Sequence, residues 1–440
     1  MKSLKIQKLP VVIIGAGAAG LAAAKKLKAK NIRFRILEAR PRIGGRIFTV
    51  TEPSLNYPVE MGAEFFHGKR SLPLALAKKL KLNPRLLPGL LYRVTKDAVT
   101  EDSGRWKRME KIMHQLRLPA GPDLSIEAAI EKIRPIPEDL EALDAVKKFI
   151  QGFNAADLAK YSTRAFWHEE MEGGHDQTVS YRVAGGYGPI LNYFGNHLAY
   201  EELSLGTEVT RVVWKKGHVE IYSHGKDHHP LPTIYAKKCL ITLPVSLLKT
   251  EAVTFSPSLH EKKEALSLIE MGHAARLVFR FRSPFWLDKK KWGKKMKCRF
   301  PAEGFFQTEH PIFRTWWTTS PIQSPLLTAW VGGPPALRFM RQSLTRVKTE
   351  ATQAAGDLFG WSEKQLREQL VEIYYHPWSS DKFSQGAYSY TAVNGDSARR
   401  ELAKPLADTL FFAGEATDYD EPGTVSAALR SGERAAREMI

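Results

Sequence analysis

The stretch PVVIIGAGAAGLAAAKKL, from Pro10 to Leu27, decides the fold, and its letters support two incompatible readings. A basic start at Lys2, Lys5 and Lys8, an apolar run, and small residues at Ala22 to Ala24 resemble a secretory signal peptide. The alternative is a strand, a glycine turn and a helix. Val11 to Ile14 is a short apolar run suited to a buried parallel strand, and Leu21 to Lys28 suits the helix after it. Between them Gly15, Gly17 and Gly20 fit G-x-G-x-x-G. The first glycine permits a tight turn, the second lets backbone approach a pyrophosphate, and the third lets helix pack on strand, with Ala18 and Ala19 completing the binding turn. Such a triplet gains meaning from a second strand ending in an acid about 20 positions on, where it meets a ribose. Phe34-Arg35-Ile36-Leu37-Glu38 supplies both. Cleavage near Ala24 would remove the first strand of that unit, so the dinucleotide reading prevails.

A chain of 440 residues exceeds what one hydrophobic core normally supports, so two domains are expected. With 43% hydrophobic and 25% charged residues it reads as a folded, soluble protein. Cys239 and Cys298 are too few for a disulfide framework and point to a reducing cytoplasm. No apolar stretch of about 18 or more residues is present, which argues against a membrane span. The net charge of +18 suits nucleic acid or an anionic membrane surface, but a lysine-rich solvated face is the simpler account.

The residues just beyond Glu38 choose the dinucleotide. In EARPRIGGRI, after Glu38 and Ala39, Arg40, Arg42 and Arg46 surround Gly44-Gly45 and offer cations and bare backbone where a pyrophosphate would lie. This R-x-G-G-R segment resembles that of the FAD proteins. More narrowly, the sequence resembles the flavin amine oxidase family of monoamine oxidases, polyamine oxidases and lysine-specific histone demethylases. Glu60-Met61-Gly62-Ala63-Glu64-Phe65-Phe66-His67-Gly68 is similar to the family segment beside the flavin ring. Ala184-Gly185-Gly186-Tyr187 matches a family double glycine, and Thr207-Glu208-Val209 resembles the strand whose backbone meets the adenine. Leu240 to Pro244 looks like a further strand of the FAD domain. FFAGEATDYDEPGTVSAALRSGERAAREM, with Gly414, Glu415, Thr424 and Val425, resembles the last strand, flavin loop and closing helix. The resemblance places Thr424 and Val425 at the flavin N1 and O2 edge, where a helix N-terminus favours negative charge.

The fold implied is of the α/β class, a Rossmann-like FAD-binding domain interleaved with a mixed α+β substrate domain. Residues 1–74, 196–254 and 391–440 are assigned to the first, and 75–195 and 255–390 to the second, with a cleft between them. In the second, Leu124-Ser125-Ile126-Glu127 reads as a helix start, and Leu140, Leu143, Val146, Phe149 and Ile150 as one helix face. Arg276 to Phe281 reads as a strand.

Family enzymes move hydride from the carbon beside a neutral amine to flavin N5, giving an imine that water hydrolyses, and oxygen or another acceptor reoxidises the flavin. Trp378 and Tyr388 match positions that pack on the flavin and wall the amine site. An apolar wall favours the neutral amine, and an aromatic face attracts it. Ala387 stands where monoamine oxidases attach flavin through cysteine, so FAD is expected to be non-covalent. Thr424 replaces the second cage tyrosine, and the chain stops at Ile440 without the monoamine oxidase membrane anchor. Arg276 stands at the usual lysine that holds a water at flavin N5, which admits a dehydrogenase; it is assigned either that catalytic place or a structural contact with a carboxylate or carbonyl. Glu64 and Phe65 replace the arginine of L-amino-acid oxidases, and Glu64 or His67 at the cleft mouth would suit a polycationic amine.

Other features are set aside. His168-Glu169-Glu170-Met171-Glu172 begins like a zinc protease helix, but Glu172 stands where the second histidine is needed. His224, His228 and His229 read as a solvated hairpin loop rather than metal ligands. Lys289 to Lys297, with Trp292, reads as an exposed connection rather than a nucleic-acid site. A monomer or homodimer is expected. The alternatives to amine oxidation are a flavin-bearing scaffold with little turnover and a carbon–carbon desaturase.

Overall fold

In the computed structural model, Leu9–Ile14 is the strand demanded by the opening stretch, paired in parallel with Phe34–Leu37 on one side and Ile234–Ile241 on the other. Residues 8–101, 103–117, 121–134, 136–172, 179–288, 290 and 304–440 are described. Lys2, Lys5, Cys298 and all of the Lys289 to Lys297 run except Lys290 lie outside them. Val11 to Ile14 are buried, as an interior parallel strand requires, which displaces the signal-peptide alternative.

This sheet has eight strands. Leu203–Ser204 extends it beyond Phe34–Leu37, while His218–His224, Glu208–Lys215 and Thr254–Ser256 extend the other side. Ile234–Ile241 forks: its first half pairs antiparallel with His218–His224, its second in parallel with Leu410–Phe412. The helix Ala18–Lys28 buries Leu21, Ala22, Ala23, Ala24 and Leu27 and packs on the closing helix Val425–Met439. Their crossing is close because Gly432 faces Ala19; a Cβ there would sit 2.1 Å from the Ala19 carbonyl oxygen. Val183, Tyr187, Ile190 and Phe194 join this same core, across the boundary drawn at residue 195.

A seven-stranded sheet runs Leu370–Tyr375, Ala274–Phe281, Leu326–Gly332, Thr315–Thr318, Phe305–Thr308, Leu91–Val94 and Val99–Glu101. Phe279, Phe281, Trp286 and Trp316 fill its core under helix Leu344–Phe359. A helical cluster closes the cleft. Ser125 starts its helix Ile126–Lys132 by accepting the Ala128 N–H at 3.1 Å, as the sequence predicts. In Leu140–Phe153 the buried face is Ala142, Ala145, Val146 and Ile150, and Leu140 is 56% exposed because it sits at the helix's first turn, beyond the packed face. Trp167–Glu172 is a π-helix. His228 and His229 lie exposed in the connection after His218–His224, and no metal-binding cluster exists among the described residues. No helix among them is long and apolar enough to cross a membrane.

Candidate active site

One cavity of about 1900 Å³ runs from the glycine turn to the helical cluster. That exceeds the roughly 300–1,000 Å³ of an ordinary ligand pocket and leaves room for a dinucleotide and a second ligand. Gly15, Gly17, Ala18, Ala19, Glu38, Ala39, Arg40, Gly45, Arg46, Gly62, Ala63, Glu64, Phe65, His67, Val209, Arg276, Trp378, Tyr388, Gly414, Glu415, Thr424 and Val425 all line it; Gly20 does not, because it packs on the strand.

The nucleotide end fits FAD on its own geometry. Gly15 adopts φ +104°, and a Cβ there would lie 2.5 Å from Thr242 Oγ1; Gly17 has open space in front of it. Gly20 must be glycine because a Cβ would meet the Gly15 carbonyl oxygen at 2.0 Å. Glu38 accepts the Ala16 N–H at 2.7 Å through one oxygen and the Arg40 N–H at 2.9 Å through the other, so its carboxylate is aimed before any ribose arrives. Burial nevertheless raises its pKa.

The expected cluster of cations resolves into three different roles. Arg40 forks onto Asp381 at 2.8 and 2.5 Å and reaches Ser384 at 3.0 Å, so its charge is already answered. Arg42 does not face the cavity: its guanidinium is consumed by the carbonyls of Ile43, Gly45 and Ile47, to which it donates, and lies 4.0 Å over the Phe48 ring. Arg46 lines the cavity and donates to Ala387 O at 2.8 Å and Glu415 at 2.9 Å. Glu415 also accepts from Ser389 and from the Gly423 N–H. Burial opposes its charge, but Arg46 and Arg399 outweigh it and hold the carboxyl below its usual range. Thr424 caps the closing helix, accepting the Ala427 N–H at 3.0 Å.

Glu64 departs from its expected place at the cleft mouth. It is 3% exposed and sits between Arg276, at 2.5 Å, and Arg182, at 2.8 Å, with the Trp317 indole N–H at 2.8 Å on the same oxygen as Arg276. Burial opposes ionisation, yet Arg276 and then Arg182 outweigh it, so Glu64 is a lowered-pKa anion already paired twice. It offers a substrate ammonium nothing. Arg276 turns to this carboxylate and to the Gly62 carbonyl at 3.1 Å, the structural contact allowed for it by the sequence. Strands Ala274–Phe281, Thr315–Thr318 and Ser180–Arg182 deliver these partners.

The helical wall carries a different acid. Glu169 and Glu170 project from the π-helix, a deformation common at functional sites. Glu169 is bound by Tyr161 and Thr391 hydroxyls and lies 3.4 Å from Arg399. Glu170 accepts only the Asn154 amide, at 2.7 Å, and meets no cation among the described residues. Burial first, and Glu169 second, push its pKa up to about 7. Tyr388 is its neighbour: burial and then the Glu170 charge raise the phenol, which donates to Phe153 O at 2.5 Å. Trp378 donates to Met61 O at 2.8 Å, and its ring edges Gly62. His67 shares a 3.0 Å hydrogen bond with Ser180 Oγ, and burial lowers its pKa to about 4, leaving the imidazole neutral. Arg182, Trp317 and Glu170 are functional residues that the sequence reading does not single out; the adjacent glutamates Glu169 and Glu170, next to Phe166 and Trp167, are the available signal for the last.

The class that this fold and cavity define is met by direct comparison. The sequence profile of the flavin containing amine oxidoreductases matches residues 18–440, and the chain belongs to that family. Its activity is FAD-dependent oxidation of an amine, which leaves the scaffold and desaturase alternatives without support. Among relatives, Polyamine oxidase 2 of Arabidopsis thaliana is 26% identical over 99% of this chain and 89% of its own length. Lysine-specific histone demethylase 1 homolog 1 of Oryza sativa subsp. japonica is 27% identical over 98% of this chain and 52% of its own. Wild-type putrescine oxidase bound to putrescine shares the fold, with a TM-score of 0.79, 18% identity and 98% coverage of both chains. No cysteine among the described residues lines the cavity, in keeping with non-covalent FAD.

Proposed function

We propose that this enzyme oxidises an amine bearing a second cationic group, a diamine or polyamine, and that Glu170 holds the distal ammonium. The observation that carries this is the contrast among cavity carboxylates: Glu64, Glu169 and Glu415 each face an arginine, whereas Glu170 faces none among the described residues. An ionised acid enclosed in protein without a cation is costly, and an ammonium ligand removes that cost. The putrescine and polyamine oxidase relatives agree in substrate class.

FAD, when bound, takes up the hydride lost from the carbon beside the reacting nitrogen. Gly15, Gly17, Glu38, Arg46 and Val209 would hold its nucleotide portion, and Gly62, Ala63, Trp378, Gly414, Glu415, Thr424 and Val425 would flank its ring. Trp378 and Tyr388 exclude water from the reacting end and favour the neutral amine there. Neutral His67 lines the approach without repelling a cation. Arg276, immobilised by Glu64, supplies a fixed positive charge but no proton. Slow reoxidation by oxygen is the consequence, so we assign a dehydrogenase-like preference for another acceptor. We place the protein in a reducing cytoplasm, on the strength of the buried free thiol Cys239.

Anaerobic flavin bleaching with diamines, triamines and monoamines of matched chain length tests the substrate. Diamines are expected to bleach at much lower concentration than monoamines, and equal concentrations would overturn the assignment. Admission of air then tests the acceptor: Arg276→Lys is expected to reoxidise at least about tenfold faster than wild type, consistent with restoring a mobile ammonium.

A further inference from the structure

A second cavity, of about 280 Å³, shares Glu169 with the first but contains none of the amine-site aromatics. Its walls bring together Arg117, Arg164 and Arg399 with two acids, Glu169 and Asp396. Arg399 lies 3.4 Å from Glu169, and Arg164 lies 3.7 Å from Asp396. Arg117 has no carboxylate partner among the described residues; its guanidinium lies 5.2 Å from the Trp167 ring centre. Three cations against two anions leave the walls with a charge of +1. His168 and Tyr419 complete them, ring against ring at 4.2 Å, with the imidazole 3.8 Å from Asp420.

A second observation points the same way. The indole N–H of Trp167 is buried and finds no acceptor among the described residues. Such a donor left alone is costly, so a native site supplies an acceptor. Water would satisfy the indole but bring no counter-charge to Arg117, which is exposed at the cavity's rim, and a cation would be repelled. An oxyanion answers both, because guanidinium forks match its geometry and an N–H completes it. The volume is several times the roughly 30 Å³ share of one water, enough for such an ion with part of its hydration.

We propose that this cavity binds a small oxyanion of the phosphate or sulfate type, held by Arg117, Arg164 and the Trp167 N–H. Glu169 forms part of both cavities, and Arg399 is tied through Ser389 to Glu415 in the main one. Charge added on one side of Glu169 therefore strengthens the hold on an ammonium on the other, and the linkage is reciprocal. That linkage rests on the diamine assignment; the site itself does not.

Calorimetric titration of the FAD-loaded protein with inorganic phosphate, at pH 8 and constant ionic strength, tests the site. Saturable one-site binding is expected, weakened about tenfold or more in Arg117→Ala and severalfold in Trp167→Phe, as loss of a charge-assisted and a neutral hydrogen bond predicts. Sulfate should compete and chloride should not. Neither residue lines the amine cavity, so an unchanged kcat without phosphate reports an intact fold. Absence of saturable binding, or equal binding by wild type and Arg117→Ala, would overturn the site. Saturating phosphate should lower the diamine KM at least about twofold in wild type and leave it unmoved in Arg117→Ala. An unmoved wild-type KM would overturn the linkage. Failure of the diamine assignment would appear separately, as equal bleaching by mono- and diamines with the calorimetry unaffected.

Discussion

The two long walls of the main cavity each present a glutamate, and the surroundings give the two carboxylates opposite properties. On the sheet side, Glu64 is clasped by Arg182, Arg276 and the Trp317 indole, and its pKa is held low. On the helical side, Glu170 has one amide donor, and burial lifts its pKa to about 7. The first is structure: its charge is consumed in holding two cations in place. The second retains an unanswered charge, which is what a cationic ligand requires. Burial alone does not separate the two roles, since both groups are enclosed; the count of opposing charges does.

Removing each acid should therefore break different things. Glu64→Gln leaves two buried guanidiniums short of their counter-charge, and unfolding in urea should show a loss of roughly 3–5 kcal/mol. Unchanged stability would mean that the cluster is solvated in a way the structure does not show. Glu170→Gln should spare stability, or raise it at pH 8, while increasing the diamine KM about 30-fold or more, the scale of truncating one partner of a buried charge pair. Its kcat should move little, and monoamine kinetics should not change.

The pH dependence sharpens the same contrast. Glu170 binds an ammonium only when ionised, so the diamine KM should be flat above about 7 and rise about tenfold per unit as pH falls below it. Glu170→Gln should abolish that inflection, whereas Glu64, ionised throughout, contributes none. For folding the sign is reversed: a carboxyl with a raised pKa adds stability in its protonated form, and that contribution is lost as pH rises from the unfolded value through about 7. The smallest effect belongs to Asn154→Ala. Its amide favours the ionised form, so the KM inflection should shift upward by about one unit, the worth of one hydrogen bond to a charge.

The nucleotide end was legible in the sequence because its requirements are local. Gly15, Gly17 and Gly20 meet backbone constraints set within a few residues, and Glu38 closes the neighbouring strand. The amine end was less so. Glu64 was visible, but Arg182 and Trp317, which reinforce Arg276 in keeping it ionised, lie 118 and 253 positions away. Glu170 sat inside a run that resembled half of a zinc motif, and the π-turn that aims it leaves no mark in a 3.6-residue period. Arg42 shows the converse error: a cation at a plausible spacing faced the wrong way, since sequence gives a side chain's position without its direction.

The close crossing of Gly432 over Ala19 joins the helix Ala18–Lys28 to the helix Val425–Met439, which is synthesised much later in the chain. Leu410–Phe412 docks on Ile234–Ile241 just as late. During translation the glycine turn must therefore wait, unclosed, with its apolar helix face lacking a partner, until residues 425–439 have emerged. Chains cut short before residue 425 would lack the partner of that helix face and expose an alanine-lined groove instead of sheltering a flavin.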